Sequence, residues 1–240
     1  MKAGLFAASR VALLRLSALS FVCSIALFGC SGSTGDGGAV TVDKAVPALE
    51  VKHWSPKDFE ALHKRQGLSA MDVEAYTEWF YSCHVDLDTE DVFQDDTSGA
   101  SSLAIKVKRV KFKLAMPITV NLPAKVPAAL KEHEDGHVLV CMLIYGNLDK
   151  VALGAANQVL GKTFNGMGKD LPEARNMAIR QINQIISQSF QEGSSTLADQ
   201  ASQKYDHLCE QYEGEPKMTR ESLARSAVSE VQNNSFKVIQ

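Results

Sequence analysis

The chain has no excess of basic residues: 25 Lys and Arg stand against 28 Asp and Glu, for a formal charge of −3. Nucleic acid is held through a dense basic face, so this balance excludes it as an expected partner. Cysteine is sparse. Of the five in the chain, Cys83, Cys141 and Cys209 are those that follow position 30. In an oxidising compartment they leave room for one disulfide and one thiol over, and the sequence does not say which pair would bridge. Histidine is scarce, at six. A long apolar run occurs at the N-terminus, from Val11, but Arg15 interrupts it and what remains is too short to span a bilayer comfortably.

That run is the first feature present. Lys2 and Arg10 precede the apolar stretch, which ends at Leu27, Phe28, Gly29 and Cys30. A basic head, an apolar body and a small residue before cysteine resemble a bacterial lipoprotein signal, which implies lipidation of Cys30 and a membrane anchor there. Residues 1–30 then form a signal peptide and 31–45, which holds the stretch SGSTGDGG, a flexible tether. Ser31 stands where retention at the inner membrane would call for Asp. The expected location is the cell envelope, on the outer membrane facing the periplasm. The remainder reads as a domain over 46–214 and a tail over 215–240 with weak helical amphipathicity. About 210 mature residues suffice for one well-cored domain.

Ser55, Pro56 and Gly67 punctuate a helix over about 56–66. AYTEWFYSCHVDLD is rich in aromatic and β-branched residues and predicts a strand, whereas the acidic DTEDVFQDDTSGASS reads as a loop. In LAIKVKRVKFKL, Ile105 and Val107 alternate with lysines. The phase then slips at Arg109, and Val110, Phe112 and Leu114 continue in the new phase. Period-two alternation is a half-buried strand, and a one-residue slip within it is the mark of a β-bulge. The lysines then form the solvated face. ITVNL predicts a further short strand. From Pro127 the pattern is helical: 127–147 first, a Gly-rich loop GKTFNGMGKD, a helix beginning at LPEARN, and another beginning at GSSTLAD with serine caps. Strands first and helices after give an α+β class, with N-terminal antiparallel strands packed on a C-terminal set of helices.

The chemistry concentrates at HEDGH, residues 133–137. Residues four apart share a helix face, so His133 and His137 can offer two imidazoles to one metal ion. Glu134, beside the first, can serve as general base for a water the metal activates. This is the zincin pattern, and zinc is the implied cofactor. Catalytic zinc takes a third protein ligand. The metzincin continuation is excluded, because Val140 and Leu143 stand where Gly and His are needed. His207 is the leading choice, being the only histidine after the motif, with Glu210, Asp206, Glu192 and the weaker Asp149 as carboxylate alternatives. Tyr205 reads as a core side chain with a polar tip. Cys141, on the same face as His137, reads as a buried thiol or half of a disulfide.

From about Tyr76 to Gly214 the order of features resembles a bacterial family of predicted secreted zinc-dependent proteases, a domain of unknown function. The matching residues are Thr77 and Trp79 on a strand, Leu122–Pro123 ending a later one, His133 to Val138 on the helix, and Tyr205–Asp206 near the end. The family's C-terminal motif carries Thr and His where Cys209 and Gln211 stand here. The resemblance implies that this last His is the third ligand. His207 lies four residues before Gln211, one turn away on the same helix face.

The sequence therefore predicts a lipid-anchored envelope protein with a zinc-dependent peptidase site acting on a peptide or protein. The alternative is an inactive zincin-like lipoprotein that binds metal or a partner.

Overall fold

The structure, a computed structural model, describes residues 39–66, 75–97, 99–215 and 217–237. The signal peptide, Cys30 and Gly67 lie outside the described residues.

The strands come mostly first: β1 (Val40–Lys44), β2 (Ala48–Trp54), β3 (Tyr76–Trp79), β4 (Ser82–Thr97), β5 (Ala100–Ala115) and β6 (Pro117–Pro123), with α1 (Pro56–Gln66) between β2 and β3. The second half holds α2 (Ala128–Gly146), α3 (Leu148–Asn157), β7 (Thr163–Gly168), α4 (Leu171–Gln191), α5 (Leu197–Gln211) and α6 (Arg220–Lys237). The class is α+β.

The sheets are mixed rather than antiparallel. One has the order β1-β5-β4 with β7 also on β5, and the other β2-β6-β3. β1 and β2 run parallel to β5 and β6, while β3, β4 and β7 run antiparallel to their partners. Alternation along a strand reports which face is buried; it carries nothing about a neighbour's direction. The chain passes from β5 to β6 through Met116, and the flanking strands change sheets at the same level. Ala45 N–H donates to Leu114 O, Ala48 N–H to Met116 O and Phe80 N–H to Pro117 O. The strand expected over 75–88 is accordingly split into β3 and β4.

β5 is built as its sequence reads. Ile105, Val107, Val110 and Phe112 are wholly buried, Lys108, Lys111 and Lys113 exposed, and Lys106 half-buried. The phase slip is a bulge: Asp88 pairs with Arg109 and Thr89 with Val107, so Lys108 has no counterpart on β4. On the other edge of β5 the neighbour changes there too, from β7 up to Lys106 to β1 from Val110.

Two expected loops are strands. DTEDVFQDDTSGASS forms the far end of the β4–β5 hairpin, turning at Gly99 with φ +96°. GKTFNGMGKD contains β7, whose glycines serve a close contact rather than a turn. A Cβ on Gly166 would lie 1.7 Å from the Ala174 carbonyl oxygen of α4.

The serines expected to cap a new helix do not start one. α4 runs through a single π turn, Glu192–Thr196, into α5 with helical backbone throughout. Ser194 Oγ donates to the Phe190 carbonyl, satisfying its hydroxyl inside the helix. The folded unit also reaches beyond 46–214. β1 lies in the expected tether, and α6, in the expected tail, places Leu223, Ala224, Ala227 and Val228 in the main core.

Candidate metal centre

α2 carries the motif and packs on two sides. Leu130 and Val138, on a stripe that includes Glu134, lie against Val120 and Leu122 of β6 and against Ala75, just before β3 of the same sheet. On that sheet Thr77 pairs with Val120 and so shares its inward face. Thr77 Oγ1 donates to Glu134 Oε2 at 2.7 Å. Glu134 is wholly buried, and its other oxygen, Oε1, has no hydrogen-bond partner.

His133 and His137 turn toward α5. Three atoms meet there: His133 Nε2 and His137 Nε2 are 3.2 Å apart, and Asp206 Oδ1 lies 3.1 Å from the first and 3.0 Å from the second. Despite this closeness Oδ1 makes no well-directed hydrogen bond. His137 is buried, while the side chains of His133 and Asp206 keep 13% and 16% of their surface open. His-His-Asp is thus a group whose ligating atoms lie within 4.8 Å of one another, compatible with a metal ion.

Tyr205 fixes the approach of the two helices. It is wholly buried and its hydroxyl donates to the His133 carbonyl at 3.2 Å. Its ring lies over Gly136, where a Cβ would come within 1.9 Å of the phenol oxygen. The mid-helix glycine is there to admit this ring. The hydroxyl addresses backbone, while the ring packs against both imidazoles, 5.3 Å from His133 and 4.9 Å from His137 between centroids, in keeping with the core role expected for Tyr205.

The site's field favours positive charge. Burial opposes a charged His133, but contacts with Asp206 and Cys209 and the charges of Glu134 and Asp206 outweigh it and lift the imidazole to about 9. Burial raises the Glu134 carboxyl, against the lowering pull of His137 and Thr77. Burial also acts to raise Asp206, yet its contacts with His133 and His137 leave it below the usual range.

The structure brings together the expected His133, Glu134 and His137, but not His207, which is exposed on α5. Asp206, one of the carboxylate alternatives, takes the place beside the histidines. Successive helix residues point about 100° apart, so the two cannot both face α2. Glu210 and Glu192 are exposed, and Asp149 sits at the start of α3, 3.7 Å from Lys44 Nζ. The support that Thr77 gives Glu134 and Ser202 gives His137 is beyond the sequence reading. The buried stripe of α5, Ala201, Tyr205 and Leu208, would have indicated that Ser202 and Asp206 flank it.

Cys83, Cys141 and Cys209 are free thiols, so the expected disulfide is not formed among them. A cavity of about 550 Å³ borders α2 at Gly136 and is lined also by Glu132, Tyr212 and Arg220, though by none of the three clustered residues. Comparison with protein-family models, curated proteins and solved structures finds no match to this chain.

Proposed function

We propose that the protein is a zinc-dependent peptidase of the zincin type, with His133, His137 and Asp206 as metal ligands and Glu134 as general base. The observation that carries the reading is the convergence of three ligating atoms beside a buried carboxylate with one oxygen unpartnered. Tetrahedral zinc at about 2.0–2.1 Å from its ligands places them roughly 3.3 Å apart. The separations here, 3.0 to 3.2 Å, are close to that. Two imidazoles and a carboxylate form a donor set of the catalytic zinc class.

A zinc ion held there would supply Lewis acidity to polarise a scissile carbonyl. Thr77 holds Glu134 by Oε2, which leaves Oε1 to take a proton from the attacking water and hand it to the leaving amine. The narrow opening, with His137 only 3% exposed, favours one second reading, a metal-binding protein without turnover. The signal-like leader supports placing either in the cell envelope, anchored at Cys30.

The test is zinc content of the full-length chain, with cleavage of fluorescent denatured casein measured with and without chelator. The hydrolase reading expects bound zinc and chelator-sensitive cleavage. Glu134→Gln should keep the metal and lose about 10² to 10⁴ in rate. Bound zinc without cleavage leaves the second reading, and no bound metal removes both.

A further inference from the structure

We infer that Ser202 is a positioning residue that fixes the His137 imidazole with Nε2 toward the metal, so that α5 supplies both the third ligand and the support of another. The inference rests on the proposed metal centre and deepens it. His137 presents Nε2 to His133 and Asp206, and its opposite nitrogen, Nδ1, lies 3.3 Å from Ser202 Oγ. Ser202 is wholly buried, so no water competes for that contact. A neutral imidazole carries one N–H and one lone pair. When Nδ1–H is donated to the Ser202 hydroxyl, the lone pair falls on Nε2, the nitrogen that faces the other ligands.

His133 also turns Nε2 to the cluster. Ser202 and Asp206 are spaced i and i+4, neighbours on one face of one helix. The hydroxyl that orients the His137 ring therefore comes from α5 and not from the motif on α2. Outer partners of metal-bound histidines typically contribute 10- to 100-fold in metal affinity.

The experiment measures Zn²⁺ affinity of the full-length chain by competition with a chromogenic chelator. Far-ultraviolet circular dichroism follows the fold, and the visible spectrum of the Co²⁺ form follows the ligand set. Ser202→Ala should bind Zn²⁺ about 10- to 100-fold more weakly, with helical content unchanged because alanine favours the helix. Ser202→Cys, which keeps a hydrogen-bonding group of similar size, should bind more tightly than Ser202→Ala. At saturating Co²⁺ each variant should give the wild-type spectrum, since the ligands are the same. Wild-type affinity in Ser202→Ala overturns the inference and leaves the metal centre standing. Equal loss in Ser202→Cys and Ser202→Ala overturns the role of the hydrogen bond, and a wild-type chain that binds no Zn²⁺ overturns the inference and the metal centre together.

Discussion

At the scale of single residues, the site turns on a difference of one position. Asp206 reaches the histidines and its neighbour His207 faces solvent. Asp206→Ala should therefore empty or greatly weaken the site, while His207→Ala leaves zinc content at the wild-type level; metal analysis of the two variants decides between them. Histidine, glutamate and histidine on α2 were legible because their spacing is a property of any helix. The third member of the cluster was not, because sequence gives a helix's period but not which way the helix is turned. Gly136 yields a prediction of sign. In an open helix Gly→Ala stabilises by about 1 kcal/mol. Here the added methyl meets the Tyr205 phenol, and overpacking costs about 1–3 kcal/mol. Gly136→Ala should lower the melting temperature and weaken zinc binding as well, because Asp206 adjoins the displaced tyrosine. A raised melting temperature would show that Tyr205 moves aside freely.

At the scale of elements, the readable ones write their burial into their own residues. β5 shows it best: its lysines, its apolar positions and its bulge follow from alternation alone. β7 and the far end of the hairpin were unreadable because other segments make them strands. Asn165, Gly166 and Met167 pair with β5, and α4 needs the glycine. Gly166→Ala should accordingly cost stability by the overpacking range of about 1–3 kcal/mol, measured by chemical denaturation. Deleting Lys108 is the sharper trial. Without the extra residue, Val107, Arg109, Val110, Lys111 and Phe112 alternate with no slip, so both halves of β5 keep their apolar residues inward and the pairing with β4 becomes regular. The deletion should keep cooperative unfolding, and its loss would mean that the bend at the bulge is itself required.

At the scale of the whole molecule, the last helix belongs to the fold. Leu223, Ala224, Ala227 and Val228 of α6 share the core with Tyr205 and Val140. A chain ending at Gly214 should be cleaved rapidly by added protease and lack a cooperative thermal transition, where the full chain resists and melts sharply. α4 and α5 form one rod joined by the π turn, with one end over β7 and the other carrying Asp206. A π turn holds one residue more than a regular turn, which rotates everything beyond it back by about one residue's angle, close to 100°. Asp206 thereby occupies the bearing that Tyr205 would have on an uninterrupted α-helix. The rod keeps its aim by residue count as well as by side chains. Removing one residue within 192–196 regularises the turn and leaves Asp206 on target, whereas the same removal within 197–204 swings it away from the histidines.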